Sequence, residues 1–346
     1  MSRDEPSPGE ILVVSREEVE QLLDPAACFQ RCLDTFRWVG EGEVEQTNPV
    51  NLYVHDRLGP EPPFGHGAMQ AFPAMIRPLG RAAVKWLGSY RLNPRRGLPA
   101  ISALDMVSDI DTGMPLALVD GTAVTNMRTG GHSTVGASYL ARPESSRLAI
   151  VGCGNEGWTH LLVLNEAFPL EEVVAFDVNP DQLARFARSA KERIGIDVMA
   201  APDVETAVAG ADIICIVTTA ARPVLMADWV PPGAHVCAAT GFRDVEPACA
   251  TEFDKWAVGW YGRDLEWIEG EEVGRLGGLQ PGALTRSDIH ADLATEILPG
   301  TRPGRESGSE RTIMTHMGMP ALDAAVASLV YDLAVDAGAG TWIEVF

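Results

Sequence analysis

No stretch of this chain stays apolar for the roughly 18 to 20 consecutive positions that a membrane-crossing helix needs. Basic charge is also scarce. Lys and Arg number 27 against 48 Asp and Glu, a net charge of -21. Such a surface repels phosphate backbones and anionic lipid, so partners of those classes are not expected, while solubility is favoured. The opening MSRDEPSPGE is polar and acidic and has no apolar core of the secretory kind, so the chain reads as cytoplasmic. There are six cysteines. Cys153, Cys215 and Cys237 lie inside apolar, strand-like runs, where cysteine acts as a small hydrophobe. Cys28 and Cys32 are four apart on a predicted helix; no His or carboxylate set completes a metal site with them, so one buried helix face is expected and no metal. Internal repeats and low-complexity tracts are absent.

What is present reads as two domains, the prior expectation for 346 residues. Ser15 with Glu18 makes a capping box for a first helix, and Asp24-Pro25 starts a second that ends at Gly40. Residues 48 to 120 look β-rich. ISALDMVSDIDTGMPLALVDG is a hairpin pattern turning at Asp111-Thr112-Gly113, and a helix follows from about Thr122 to Ala141. From Arg147 short apolar runs (LAIVGC, EVVAFD, DIICIVT, HVCAAT) alternate with helical segments to about Asp288. Strands buried on both faces have this composition, so a doubly wound parallel sheet is expected. After a loop at 300–310, TIMTHMG, a helix from Pro320 to Ala337 and TWIEVF are expected to return to the first domain. The fold class is therefore α/β: a doubly wound Rossmann domain over 130–299, and a discontinuous α+β domain over 1–129 and 300–346.

Gly152-Cys153-Gly154-Asn155-Glu156-Gly157 is a GxGxxG turn that follows an apolar strand and opens a helix, the context such a fingerprint requires. Its glycines let backbone approach a pyrophosphate seated on the helix N-terminus. The next strand ends in Asp177, twenty residues past Gly157, where a carboxylate bonds a ribose 2′-hydroxyl and repels a 2′-phosphate; Val178-Asn179-Pro180 offers no Arg. NAD(H) is thus expected over NADP(H). Thr218-Thr219 and Ala239-Thr240-Gly241 close two further strands, where they are either turn residues or ligand contacts.

Several charged residues sit in apolar settings. In RAAVKWLGSY, Ala83, Lys85 and Leu87 share one strand face, so Lys85 either snorkels at an edge or is held in a pocket. Arg128 lies beside the apolar stripe of its helix, and a buried guanidinium needs an acid partner. Gly130 and Gly131, mid-helix, cost together about 2 kcal/mol relative to Ala and suggest close approach of another backbone or a ligand. His132, one turn after Arg128, is a ligand contact or a partly buried histidine. Asp244, just past a strand end, either moves protons on a substrate amine or caps the helix that Pro247 begins.

The ordered series AVKWLGSYRLNPRRGLP, DIDTGMPLALVDGTAVTNMRTGGHS, LAIVGCGNEG, VVAFD, IVTTAARPVL and HVCAATGFRD resembles the ornithine cyclodeaminase/mu-crystallin family over roughly residues 45 to 335. The resemblance implies a two-domain homodimer whose first domain pairs with its twin and whose second binds the dinucleotide. It implies that Lys85 and Arg128 hold a substrate carboxylate and that Asp244 is the catalytic acid/base, with Lys85 also in the catalytic set. It makes Asn155, Glu156, Asp177, Thr218 and the Ala239-Thr240-Gly241 turn cofactor contacts alongside Gly152, Gly154 and Gly157. His316-Met317-Gly318 resembles a loop that closes over the nicotinamide. Three departures stand out. Asn51 replaces a cation that helps clamp the carboxylate, Gln70 stands where the ornithine enzymes carry Glu, and Ala100 follows GLP in place of a hydroxyl residue. Losing one cation and one acid argues for a substrate less charged than ornithine, or for one held differently.

The chemistry implied is hydride transfer at the amine-bearing Cα of an amino acid, through an imine. In a cyclodeaminase the substrate's own side-chain amine attacks the imine, ammonia leaves and the hydride returns. In a cyclic imine reductase or an amino-acid dehydrogenase the same residues stop halfway, with net redox. A non-catalytic mu-crystallin-like NAD(P)H-binding protein is the reading from another class.

Overall fold

The N-terminal capping signals act as the sequence predicts. In this computed structural model, which describes residues 9–54, 67–90, 92–220, 222–269 and 282–346, strand β1 (Glu10–Val14) is followed by helix α1 (Arg16–Leu22). Ser15 caps α1 in a reciprocal box with Glu18. Asp24 caps α2 (Pro25–Gly40) through the amides of Ala26 and Ala27, with Pro25 in the first turn. Cys28, Cys32 and Phe36 form its buried face. Strands β2 (Val44–Gln46), β3 (Val50–Tyr53), β4 (Ala68–Ile76), β5 (Arg81–Ser89), β6 (Ile101–Asp109) and β7 (Pro115–Asp120) follow. The β6–β7 turn is fixed by Asp109, whose Oδ1 accepts from the Thr112 amide and hydroxyl, and by Gly113 at φ 72°. Helix α3 (Gly121–Leu140) comes next.

The chain divides into two compact units, residues 1–128 with 319–346 and residues 129–318, the boundary falling within α3. In the second unit β8 (Arg147–Val151), α4 (Asn155–Ala167), β9 (Glu172–Phe176), α5 (Pro180–Ile194), β10 (Val198–Ala200), α6 (Val204–Val208), β11 (Ile213–Ile216) and β12 (His235–Ala238) are followed by α7 (Ala248–Glu252), β13 (Lys255–Val258), α8 (Tyr261–Glu269), β14 (Ala291–Asp292) and β15 (Thr312–Thr315). Its sheet runs β10-β9-β8-β11-β12-β15-β13-β14 with every pairing parallel. Apolar clusters cover both faces, as the unbroken apolar runs require. Chain order reverses between β8 and β11, the switch point where such sheets hold ligands beyond their carboxyl ends. Gly130 answers the predicted close approach: a methyl there would lie 2.6 Å from the Thr159 carbonyl oxygen of α4.

One expected boundary moves. Residues 300–318 sit in the second unit rather than the first, because TIMT is a fully buried run that inserts as β15 between β12 and β13. The return to the first unit begins with α9 (Pro320–Ala337), whose Ala321 amide is capped by Gln46, and ends with β16 (Thr341–Glu344) antiparallel to β1. The first sheet runs β16-β1-β7-β6-β5-β4-β2, with β3 also on β4. Directly opposed residues share a face, so Asn51, Gln70, Phe72, Lys85, Leu87 and Asp105 lie together on one side. On the other side Leu52, Trp86, Leu104 and Met106 are all at least 40 % exposed. Among the described residues no helix is long and apolar enough to cross a membrane.

Candidate active site

In the first unit Lys85 and Arg128 meet on an acid that the sequence reading did not single out. Lys85 Nζ donates to Asp323 Oδ2 at 2.7 Å, and Arg128 Nε donates to Asp323 Oδ1 at 2.7 Å. All three side chains are buried. Lys85 Nζ also reaches Thr125 Oγ1 at 3.3 Å and lies 4.3 Å from the centre of the Phe72 ring. Burial pushes the Lys85 ammonium down from its ordinary value, with Asp323 opposing; burial pushes the Asp323 carboxyl up, but Arg128 and Lys85 overcome this and hold it below. Lys85 is therefore held in a pocket and does not snorkel. The cluster carries two cations on one anion, a local excess of positive charge suited to a further carboxylate. Asn51 and Gln70, opposed on β3 and β4, hydrogen-bond each other through Gln70 Nε2 and Asn51 Oδ1. Where the resemblance led one to look for a cation and an acid, the chain has a neutral amide pair.

In the second unit the glycine turn has the shape a pyrophosphate needs. Gly152 adopts φ 102°, and a methyl there would lie 2.5 Å from the Val217 carbonyl oxygen; a methyl on Gly157 would strike the Gly152 carbonyl. At Gly154 nothing lies within 4 Å of where a methyl would be, and no side chain caps the N-terminus of α4. An open cradle of backbone amides at a helix start fits a dinucleotide phosphate. Asp177 is tied to the turn: its Oδ2 accepts from the Cys153 amide at 2.8 Å and its Oδ1 from the Asn179 amide at 2.8 Å. A carboxylate has about four lone-pair sites, so acceptors remain for a ribose hydroxyl.

Thr218 and Thr240, at the ends of β11 and β12, both face Asp244. Oδ2 accepts from the Thr218 hydroxyl at 2.8 Å and its amide at 3.2 Å, and Oδ1 accepts from the Thr240 hydroxyl at 2.7 Å. Asp244 is fully buried and does not cap α7, whose N-cap is Pro247. Burial pushes its carboxyl up, and the Thr240 bond, Arg243 and Thr218 pull part of the way back. Gly241 follows in a left-handed turn at φ 64°. His316 is buried and stacks on His132 with ring centres 3.8 Å apart. His160 Nδ1 lies 2.7 Å from the Glu156 carbonyl and must donate to it. Because burial keeps His160 neutral, its Nε2 accepts from Ser133, which in turn accepts from His316 Nε2 at 2.9 Å. The Met317 amide donates to Asp264 Oδ1 at 2.8 Å, while Asp264 Oδ2 takes the amides of Gly259 and Trp260.

The sequence matches the ornithine cyclodeaminase/mu-crystallin family over residues 10–338. This chain belongs to that family. It is 31% identical over 338 residues, 97% of this chain and 99% of the relative, to an alanine dehydrogenase of Archaeoglobus fulgidus. Its structure resembles the Delta(1)-pyrroline-2-carboxylate reductase of Thermococcus litoralis in complex with NADH and L-proline, with a TM-score of 0.85, 28% identity and coverage of 96% of this chain and 99% of that one. It resembles equally an archaeal alanine dehydrogenase dimer with bound NAD, with a TM-score of 0.85, 29% identity and coverage of 97% and 100%. Asp323, Asp105, Thr125 and Asp264 are the residues that sequence reasoning missed. A signal existed for Asp323. It stands within the apolar PALDAAVASLVYDL, and the argument that Arg128 needs an acid partner called for such a residue.

Proposed function

We propose that this family member is an NAD-dependent imine reductase or amino-acid dehydrogenase that acts at the amine-bearing carbon of a small carboxylate, in the cytoplasm. The observation that carries the reading is Asp244, an acid buried at the carboxyl ends of parallel strands, its carboxyl raised and fixed by two threonines. Such a group is suited to hold and release a proton at a higher pH than an ordinary aspartate. Bound NAD supplies the hydride acceptor or donor. Gly152, Gly154, Asn155 and Gly157 present backbone to its pyrophosphate, and Asp177 accepts from its ribose. Lys85 and Arg128 bind the substrate carboxylate, and Asp244 takes or returns the proton on its nitrogen.

Within this chemistry we favour net redox over cyclodeamination. The Asn51–Gln70 pair offers no charge to a second, side-chain amine, and the full-length relatives above are a dehydrogenase and a reductase. Lys85, Arg128 and Asp244 together weigh against a purely binding role. The relative with bound NAD is a dimer, and the exposed apolar side of the first sheet is the surface we assign to a homodimer here.

The test follows nicotinamide absorbance and ammonia together, with NADH plus cyclic imine carboxylates or 2-oxo acids and ammonia, and with NAD plus neutral amino acids and diamino acids. Sustained absorbance change is expected. Ammonia release from a diamino acid with no net absorbance change would return the chain to cyclodeamination, and neither signal would leave a binding protein. Asp244→Asn should lower turnover by roughly 10²–10⁴-fold with NADH affinity nearly unchanged; full activity in that variant removes Asp244 from the mechanism. In the direction of amine oxidation the ionised carboxylate is the active form. The rate should therefore fall, as pH drops, at a higher pH than an ordinary aspartate would give.

A further inference from the structure

A second acid lies beside the Lys85–Arg128–Asp323 cluster, and nothing in the proposed chemistry uses it. Asp105 stands on β6 directly opposite Lys85 on β5 and Val119 on β7. It is fully buried, and neither carboxyl oxygen has a hydrogen-bond partner among the described residues. Its side chain reaches the first residue of α3, where a methyl on Gly121 would lie 2.6 Å from Oδ2. That helix carries Thr125 and Arg128 one and two turns on.

An ionised carboxylate with no donors in a dry interior is too costly to persist, so the group stays neutral unless charge nearby supports it. The charged groups around it are Asp323 on α9, Lys85 on β5, Arg128 on α3 and Asp120 at the end of β7. Burial pushes the Asp105 carboxyl well up, Asp323 and Asp120 add to this, and Lys85 and Arg128 oppose it. Asp120 is itself occupied by Arg16 and the Ala123 amide. With Asp105 neutral, the two cations and Asp323 leave the cluster one positive charge in excess. With Asp105 ionised, the excess vanishes and an arriving anion meets two buried acids.

We propose that Asp105 is a positioning residue that sets the charge of the carboxylate site, carrying a proton whenever an anionic substrate is bound and repelling that substrate when ionised. The inference rests on the reading that Lys85 and Arg128 bind the substrate carboxylate. It makes the enzyme selective for monoanions, and it couples substrate capture to uptake of a proton: the proton comes from solvent, bonds to a carboxyl oxygen of Asp105, and returns to solvent when the site empties.

The test is calorimetric binding of 2-furoate, a flat ring carboxylate with no C=N bond to reduce, to the full chain with saturating NAD. It is run from acid to alkaline pH in two buffers of different ionisation enthalpy. The wild type should take up close to one proton per carboxylate bound at alkaline pH, with affinity falling about tenfold per pH unit there. Asp105→Asn should take up none and keep its affinity. Binding without proton uptake by the wild type overturns the proposal, whether or not the variant folds. Uptake that persists in Asp105→Asn overturns it too, because another group, Lys85 or Asp244, is then the one that titrates, and so does loss of binding at every pH in a folded Asp105→Asn. The parent reading is tested apart: Arg128→Ala should bind 2-furoate at least tenfold more weakly. Unchanged binding there would mean the carboxylate is held elsewhere, whereas weakened binding without proton uptake in the wild type sinks only the role of Asp105.

Discussion

Asp264 shows how a single residue ties pH to stability. Its carboxyl accepts three backbone amides, from Gly259, Trp260 and Met317, yet burial, with Asp292 adding, still pushes it up to about 7. Between pH 4 and 7 the unfolded chain has lost this proton and the folded chain keeps it, so stability falls as pH rises through that window and levels off above it. The shift corresponds to roughly 4 kcal/mol across the window. Asp264→Asn should therefore lose less thermal stability than the wild type between pH 5 and pH 8. Parallel melting curves for the two proteins would refute the assignment. None of this was legible in the sequence, because Asp264 sits in an ordinary helical pattern and its three amides come from turns after β13 and β15. Asp177 was legible, since the spacing from the glycine turn fixes it one strand on.

Among the elements, the helices that announce themselves by caps were read correctly, α1 at its start and α2 at both ends. The apolar runs of β8, β9, β11 and β12 were read as parallel strands because they recur in alternation with helical segments. β14 has only two residues, and β15, though as long as β11 and β12, stands after the loop at 300–310 and outside that alternation. Only the slot between β12 and β13 assigns Thr312–Thr315 to the second sheet. Helix α9 matters most for the site, since its Asp323 is the anion shared by two cations that arrive on β5 and α3. Asp323→Ala should destabilise the first unit by about 3–5 kcal/mol, because it leaves two charges in a dry setting with their shared anion gone. Asp323→Asn should cost less. Denaturant unfolding measures both, and a loss under 1 kcal/mol for the alanine variant would show that water or other groups satisfy the cations. Gly130→Ala should cost about 1–3 kcal/mol by forcing α3 away from the α4 backbone.

At the scale of the molecule, fold class and family followed from motif order, whereas the assembly we propose rests on a surface. The alternation of β5 and β6 puts Trp86, Leu104 and Met106 on the side away from Lys85 and Asp105, each two-fifths exposed or more. An apolar sheet face of this kind marks an association site. Trp86→Glu with Leu104→Glu should convert the proposed homodimer to monomer in sedimentation or light scattering, with NADH binding retained. A double variant that stays dimeric would place the interface elsewhere. The first unit is also assembled from both ends of the chain: β1 pairs with β16, and Lys85 and Arg128 pair with an acid almost two hundred positions or more downstream. A ribosome delivers these parts in order. By the time Gly318 emerges, the whole second unit is available to fold, but the first still lacks an edge strand, its covering helix and the counterion of its buried cations. The dinucleotide-binding unit can therefore be complete while the first unit is still being made, and residues 319–346 decide when the enzyme comes into being.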